Sequence, residues 1–196
     1  MKKITLLFLV VLFTLPMVSQ SKSNAKSQVK EVGKALLPKE LKYNKKNLML
    51  NGSGIRHKYF FNIYTIGLYL NKKSSDAKHI MEADENMSVR FESTSKLLSK
   101  EKLENAFRDG FERSTNGNTG KIRPRIEKFL DLMAQDPGLG KVYDVFYEKG
   151  VGCTVYYEGE KQGVVKGLDF KTALFGVWLS DSPVNKRLRK ELLGLK

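Results

Sequence analysis

The stretch NLMLNGSGIRHKYFFNIYTIGLYL, residues 47–70, carries the strongest strand signal in the chain. Its second half, from Tyr59 to Leu70, is rich in aromatic and β-branched residues and is apolar at both odd and even positions. This pattern is typical of a strand that is covered on both faces. Polar His57 and Lys58 separate this run from the apolar residues before it. We therefore predict two strands joined by a hairpin corner at His57 and Lys58.

Further strands are predicted on the C-terminal side of this hairpin. Residues 87–91 (MSVRF) alternate apolar and polar side chains, as a strand with one solvent face does. Residues 141–147 and 153–157 form two more predicted strands joined through Lys149 and Gly150, and Gly159 leads into a short one near Val164 and Val165. These short, turn-connected strands predict a mostly antiparallel sheet.

Helices are predicted in the segments between and after these strands. Ser99 is the expected N-cap of the first helix, and Pro124 lies in the first turn of the second. Asp169 is the expected cap of a third helix, and Ser182 with Pro183 opens a fourth. Their inward-facing stripes include Leu103, Phe107, Phe111, Ile126, Phe129, Leu174, Trp178, Leu188 and Leu192. Strands and helices in this order predict the α+β class.

The N-terminus has the composition of a secretory signal peptide. Lys2 and Lys3 precede an apolar run from Ile4 to Leu15, which is too short to span a membrane, and small polar residues follow. We predict a signal peptide over residues 1–20, a flexible segment over 21–37 and one domain over 38–196. The protein is then expected to be exported, to the periplasm or the extracellular space, and to be soluble after cleavage.

Charge and cysteine content narrow the classes of partner. The formal net charge is +14, and it favours anionic ligands or an anionic membrane surface, whereas export argues against nucleic acid. Cys153 is the only cysteine, so an intramolecular disulfide is impossible. Because Cys153 lies in a predicted strand, we expect it to be a buried apolar side chain rather than a nucleophile.

The sequence carries no motif for a metal or a cofactor. His57 and His79 are the only histidines, and neither has a histidine or cysteine at ligand spacing. No phosphate-binding loop or nucleophile elbow is present. The pair Gly52 and Gly54 lacks the third glycine of a dinucleotide site, so it is interpreted as close backbone packing or a bulge. We predict no metal and no cofactor.

Arg56 and Tyr64 are the candidate polar pair of a ligand site. A guanidinium beside a phenol in an apolar pocket suits a carboxylate, which accepts two bonds from the arginine fork and one from the hydroxyl. Along one straight strand, eight residues span about 26 Å, too far for a shared ligand. The pair therefore requires a chain reversal near His57 and Lys58. The alternative is an arginine at the rim and a core tyrosine that never meet.

These residues lie in segments that resemble the chalcone isomerase family. LNGSGIR (residues 50–56) and YTIGLYL (residues 64–70) resemble its glycine-arginine and IGxYL segments. ALFGVWLSDSPV (residues 173–184) is similar to the IWLGDxPV segment of the bacterial chalcone-isomerase-like branch. The resemblance covers roughly residues 40–195. It implies an open-faced β-sandwich, in which a large, mostly antiparallel sheet is packed by a layer of helices with a cleft between them.

The family contains isomerases, which close the ring of chalcones, and relatives that hold a fatty acid in the same cleft. The resemblance implies that Arg56 corresponds to the cleft arginine of both groups. Tyr64 corresponds to a threonine in the isomerases and to the carboxylate-binding tyrosine in the fatty-acid-binding members. The tyrosine and asparagine that the isomerases carry on the helix after the sheet fall on Ser99 and Ala106.

Three functions follow from the sequence. The first is an exported, non-catalytic binding protein that holds a fatty acid or similar amphipathic carboxylate in an apolar cleft, with Arg56 and Tyr64 on the carboxylate. The second is a chalcone-isomerase-type lyase, in which Arg56 stabilises an enolate and Tyr64 is the general acid or orienting donor. The third is an envelope protein that contacts anionic lipid or another protein through its basic surface. Candidate apolar contacts to the ligand are Phe60, Phe61, Ile66, Leu68 and Phe107.

Overall fold

The computed structural model describes residues 29–43 and 45–195. The strands of these residues are β1 (Val29–Val32), β2 (Ala35–Pro38), β3 (Glu40–Tyr43), β4 (Lys46–Lys58), β5 (Phe61–Leu70), β6 (Met87–Ser93), β7 (Val142–Glu148), β8 (Gly152–Tyr157) and β9 (Glu160–Val165). The helices are α1 (Ala77–Glu82), α2 (Lys100–Ser114), α3 (Arg123–Leu132), α4 (Leu168–Leu179) and α5 (Lys186–Leu192), with a 3-10 turn at Gly120–Ile122.

Strands β3 to β9 form one seven-stranded sheet in which the strands follow one another in chain order. Every neighbouring pair is antiparallel. Helices α2 and α3 are inserted between β6 and β7, and α4 and α5 follow β9. The α+β prediction, with a large antiparallel sheet packed by helices, is confirmed.

The hairpin of β4 and β5 forms, but its turn lies two residues later than predicted. Tyr59 and Phe60 make the turn, while His57 and Lys58 still belong to β4. A register irregularity between Arg56 and His57 lets the strand continue past the polar pair. The reversal makes Arg56 the cross-strand partner of Tyr64. The chain reversal that the polar pair requires is therefore present.

The sheet has an apolar layer on each face. Toward the helices, Phe91, Val145 and Val155 belong to the main core, together with residues from every described α-helix. On the opposite face, Tyr69 joins a smaller cluster of Leu41, Tyr43, Leu48 and Phe146. Strand β5 therefore packs on both sides, with Ile66 and Leu68 facing one core and Tyr69 the other, as its continuous apolar pattern indicates.

Helix α5 covers the glycine pair of β4. A Cβ atom on Gly52 would collide with the backbone carbonyls of Glu191 and Leu192, and one on Gly54 would meet the side chains of Leu188 and Glu191. Gly52 therefore requires glycine for close helix-to-strand packing, whereas a larger residue at Gly54 would force the side chains of Leu188 and Glu191 to move. The interpretation of these glycines as packing residues agrees with this geometry.

Helix α4 is buried around most of its circumference, with nine of its twelve residues inaccessible to solvent. One of them is Lys171, whose side chain is fully buried. Its ammonium nitrogen donates hydrogen bonds to the backbone carbonyls of Ile80, Met81 and Ala83, at 2.7, 2.9 and 2.7 Å. Lys171 therefore ties α4 to the C-terminal end of α1, where helical carbonyls have no partner within the helix.

The helix boundaries differ in part from the sequence prediction. Ser99 caps α2 as expected, since its hydroxyl accepts from the backbone N–H of Lys102. Helix α4 begins at Leu168, two residues earlier than a cap at Asp169 would place it, and Asp169 lies in its first turn, where it forms an ion pair with Arg125. Helix α5 starts after Asn185, whose side chain caps it, rather than at Ser182. Helix α1 has only six residues, too few for its periodicity to predict.

The N-terminal part of the described chain is a hairpin. Strands β1 and β2 pair between Val29 and Pro38, and Ala35 and Leu37 are buried. Residues 29–37 therefore carry regular structure where a flexible segment over 21–37 was expected. The prediction missed these strands because two short strands show too little alternation to be recognised. The predicted signal peptide over 1–20 lies outside the described residues. In the described part of the chain, no helix is long and apolar enough to cross a membrane.

Cys153 lies within β8 and is fully buried. Burial raises the pKa of its thiol to about 12. A protonated, inaccessible thiol is a poor nucleophile, since the thiolate is the reactive form. The placement agrees with the expectation of a buried apolar side chain.

Candidate functional site

A cavity of about 490 Å³ opens between the β4–β5 hairpin and helix α2. Its volume is in the range of small-molecule sites. Strands β4, β5 and β6 form one wall, α2 forms the other, and the buried residues Val177 and Trp178 of α4 also line the cavity. The cavity is thus the space between the sheet and its helical layer at the end of the sheet where β5 begins.

Arg56 and Tyr64 both line this cavity. Because they are cross-strand partners in an antiparallel pair, their Cβ atoms lie about 4.5–5.5 Å apart. Both side chains are half-buried. The arginine fork and the phenol can therefore reach the same ligand group. This geometry argues against the alternative, in which the two side chains never meet.

The Arg56 guanidinium has unused donors. Its one hydrogen bond within the described residues goes to the backbone carbonyl of His57. No carboxylate of the described chain forms an ion pair with it, although Asp109 lines the same cavity. Since a guanidinium carries five N–H donors, most of them remain available to an anion in the cavity.

Tyr64 is oriented by the only tryptophan of the chain. The indole Nε1–H of Trp178 donates a hydrogen bond to the Tyr64 hydroxyl oxygen at 3.0 Å. Indole is a donor only, so the phenol acts as acceptor in this bond and its own proton is directed elsewhere. Burial raises the pKa of Tyr64, although the Trp178 hydrogen bond and the Arg56 charge act in the opposite direction. The phenol is therefore protonated at neutral pH and available as a donor to a ligand.

The deeper wall of the cavity is apolar and largely aromatic. Phe91 packs against Tyr64 at a ring-centroid distance of 5.5 Å, and Phe107 meets Trp178 edge to face at 5.9 Å. Leu98 and Leu103 are also buried and line the same space. This surface offers no charged partner, so it suits a hydrocarbon chain.

The mouth of the cavity is basic. Lys58, Lys102 and Arg113 line it together with Arg56, and Asp109 is the acidic residue among them. Lys102, Asp109 and Arg113 belong to α2 and lie on its solvent-exposed side. The cavity therefore combines a positively charged entrance with an apolar interior.

Some of the residues predicted to contact a ligand lie outside this cavity. Phe107 lines the cavity, but Phe60 is 99% exposed at the turn and Phe61 is 53% exposed next to it, and neither lines the cavity. Ile66 and Leu68 are fully buried opposite Gly54 and Gly52, where α5 fills the space that a ligand would need. Strand alternation identified core residues here but not which part of the core is hollow.

The two helix positions inferred from the isomerases do not offer their polar groups to the cavity. Ser99 uses its hydroxyl to cap α2 and is not among the lining residues. Ala106 lines the cavity but has no polar atom in its side chain. Within residues 29–43 and 45–195, no three or more His, Cys, Asp or Glu side chains cluster as metal ligands do.

Sequence reasoning missed Trp178, Lys102, Asp109 and Arg113 as site residues. Trp178 was predicted only as a core residue of a helix. Its contact with Tyr64 joins residues 114 positions apart in the chain, and no local pattern reports such a contact. Lys102, Asp109 and Arg113 are seven and four positions apart, which places them on one face of a helix, but their charges indicate a solvent face equally well.

Comparison with known proteins supports the fold and the family. The crystal structure of a fatty-acid-binding protein from Arabidopsis thaliana has a TM-score of 0.67 to this chain, with 18% sequence identity over 81% of this chain and 91% of that chain. At this identity the likeness shows the fold alone. A search of curated proteins found no match. A sequence model described as chalcone isomerase-like matches residues 29–194, which confirms the resemblance seen in the sequence. The chain belongs to the chalcone isomerase-like family.

Proposed function

We propose that this protein binds a fatty acid or a similar amphipathic carboxylate, without catalysing its conversion. One observation carries the proposal: Arg56 and Tyr64 form a cross-strand pair in the wall of a cavity whose interior is apolar. The arginine has donors without partners among the described residues, and the tyrosine proton is free to donate. A carboxylate on an alkyl chain complements both parts of this site.

The carboxylate would accept two hydrogen bonds from the Arg56 fork and a third from the Tyr64 hydroxyl. Bonds between charged groups in a partly buried site are short and strong, and the bidentate geometry of arginine selects a planar anion. The ligand charge would also compensate a half-buried guanidinium that no described carboxylate pairs. Lys58, Lys102 and Arg113 at the mouth would favour the entry of an anion.

The alkyl chain would lie along Phe91, Leu98, Leu103 and Phe107. Each buried methylene group contributes about 0.8 kcal/mol, so a long chain provides substantial affinity without further polar contacts. The Arabidopsis thaliana protein with the same fold is a fatty-acid-binding protein, and this supports the same ligand class here.

Export completes the proposal. The basic start and short apolar run of residues 1–15 support a signal peptide, cleavage of which would release the protein into the periplasm or the extracellular space. Mass analysis of the N-terminus of the protein recovered from its native host tests this part independently of ligand binding. A mature protein that still begins at Met1 would contradict it.

A fluorescence titration tests the binding function. Trp178 is the only tryptophan and lines the cavity, so its emission reports on occupancy. Delipidated protein titrated with hexadecanoate is expected to show a saturable change in emission, whereas hexadecanol, which has the same chain but no carboxylate, is expected to bind at least about tenfold more weakly. Failure of hexadecanoate to bind at all would contradict the proposal.

The isomerase alternative is examined with the same preparation. The inferred helix positions, Ser99 and Ala106, present no polar side chain to the cavity, so we expect no turnover of a chalcone. Formation of a flavanone at a rate above the spontaneous one, lost in Arg56→Ala, would instead establish isomerase activity.

Tyr64→Phe is expected to weaken hexadecanoate binding about tenfold. The substitution removes one hydrogen bond to a charged group, worth about 1.5 kcal/mol, and leaves the aromatic contact with Phe91. Calorimetric titration measures the change. Tyr157→Phe is the matched control, because the hydroxyl of Tyr157 donates to the backbone of Asp136 and does not line the cavity. An equal loss in both variants would show that the effect is not specific to the site.

A further inference from the structure

The turn between β4 and β5 presents three consecutive aromatic side chains to solvent. Tyr59, Phe60 and Phe61 are 87%, 99% and 53% exposed, and the first two are the most exposed large hydrophobic residues in the described part of the chain. We call residues 59–61 the aromatic tip. Single exposed hydrophobic residues are common on protein surfaces, but an exposed contiguous group at the end of a hairpin indicates an interaction site.

The backbone of the aromatic tip does not explain why these residues are there. Tyr59 has a left-handed backbone with φ of 54°, a conformation that aromatic residues disfavour. Two-residue hairpin turns prefer asparagine, aspartate and glycine at such positions. A turn built from Tyr59 and Phe60 therefore keeps aromatic side chains at the expense of turn stability, which points to a role outside the fold.

The aromatic tip borders the mouth of the cavity. Lys58, directly before the tip, and Ile63, two residues after it, both line the cavity. Leu97, another exposed apolar residue at 49%, lines it from the segment before α2. Exposed apolar groups thus lie next to the cavity both at the end of the hairpin and before α2.

Charge defines the kind of surface that fits. The opening is lined by four basic residues, Arg56, Lys58, Lys102 and Arg113, and by one acidic residue, Asp109. The chain as a whole carries a formal net charge of +14. Protruding aromatic side chains next to basic ones are typical of a surface that enters the headgroup region of an anionic bilayer.

We propose that the aromatic tip inserts into the surface of an anionic lipid bilayer and places the mouth of the cavity against it. Tyr59 and Phe60 enter the boundary between headgroups and acyl chains, while Lys58, Lys102 and Arg113 contact lipid phosphates. A ligand would then pass between bilayer and cavity without crossing water. Docking itself is independent of the ligand, and only the direct transfer rests on the proposed function.

A turn-optimised variant tests the docking. In Tyr59→Asn with Phe60→Gly, both replacements suit the turn, so thermal stability is expected to be retained or raised. Binding to phosphatidylglycerol–phosphatidylcholine vesicles, measured by co-sedimentation, is expected to fall at least about tenfold. Wild type and variant carry the same N-terminus, so a difference between them originates in the tip. Wild-type binding is also expected to weaken with added salt and in pure phosphatidylcholine vesicles.

The β7–β8 turn provides the matched control. It also carries a lysine and an exposed apolar residue, Lys149 and Val151, but it lies at the opposite end of the sheet. Lys149→Glu with Val151→Ser removes charge and apolar surface there and is expected to leave vesicle binding unchanged. If the control loses as much binding as the tip variant, the surface that docks is not the aromatic tip.

The outcomes separate docking from ligand binding. The tip variant is expected to keep its hexadecanoate affinity in solution and to take hexadecanoate from preloaded vesicles about tenfold more slowly than the wild type. A wild type that does not bind anionic vesicles, or a tip variant that binds them equally well, overturns the docking proposal and leaves the carboxylate site intact. Vesicle binding by a protein that never binds hexadecanoate would overturn the proposed function instead.

Discussion

Arg56→Leu is expected to weaken hexadecanoate binding by at least about thirtyfold. The substitution removes the cationic fork from a half-buried site while keeping an apolar side chain on β4. Removing one partner of a buried, hydrogen-bonded charge pair costs about 2–5 kcal/mol, which corresponds to this loss or more. Calorimetric titration of wild type and variant under the same salt concentration measures it. The fold is expected to be unaffected, since the only hydrogen bond of the Arg56 side chain among the described residues goes to the backbone carbonyl of His57.

Two further variants distinguish the bidentate geometry of Arg56 from its positive charge as the source of affinity. Arg56→Lys keeps the charge but not the bidentate geometry, so an intermediate loss is expected. Arg113→Leu removes an arginine from the exposed mouth of the same cavity, and only a loss of about threefold or less is expected because an exposed charge is screened by solvent. Equal losses in Arg56→Leu and Arg113→Leu would show that general charge, rather than a specific contact, attracts the ligand.

Lys171→Met is expected to lower the free energy of unfolding by about 2–4 kcal/mol. The carbonyl of Met81 still accepts a hydrogen bond from the Thr172 hydroxyl in the variant. The carbonyls of Ile80 and Ala83 lose the hydrogen bond from Lys171. Each buried carbonyl left without a partner costs about 1–3 kcal/mol. Denaturant unfolding measures the change. Lys78→Met removes the same charge from an exposed position on α1 and is expected to change stability by less than about 0.5 kcal/mol.

The contribution of Lys171 also depends on pH. Burial lowers the pKa of Lys171 from its ordinary 10.5 to about 8. Between these values the unfolded chain binds a proton that the folded chain has released, so the free energy of unfolding rises with pH in this window. The difference in stability between wild type and Lys171→Met should therefore grow from about pH 8 to about pH 10.5. A constant difference over this range would contradict the assignment of the shift to Lys171.

The sequence predicted the parts of the fold that depend on long, regular patterns. The apolar run of β5 is continuous on both faces because two cores cover it, and that pattern is visible in residues 59–70. The pairing of Arg56 with Tyr64 needed only a reversal between them, which polar His57 and Lys58 suggested. The turn itself lies at Tyr59 and Phe60. This position was not predicted, because aromatic residues stand where turn-forming residues are expected.

The rest of the site depends on contacts between residues far apart in the chain. Helix α5 fills the space opposite Ile66 and Leu68, whereas the region near Phe91 and Phe107 is left open. Alternation in a strand reports which side chains face a core, but not whether that core is filled by a helix or hollow. The hydrogen bonds of Trp178 and Lys171 were not predicted for the same reason, since their partners are Tyr64 and the end of α1.

Nuclear magnetic resonance of hexadecanoate labelled at its carboxyl carbon tests the central claim most directly. If the carboxylate contacts Arg56 and Tyr64, the bound protein is expected to give a distinct carboxyl resonance whose pKa lies well below that of the free acid, because a neighbouring guanidinium favours the ionised form. The lowered pKa should be lost in Arg56→Leu. A carboxyl resonance that titrates as in the free acid, or identically in wild type and Arg56→Leu, would contradict the account.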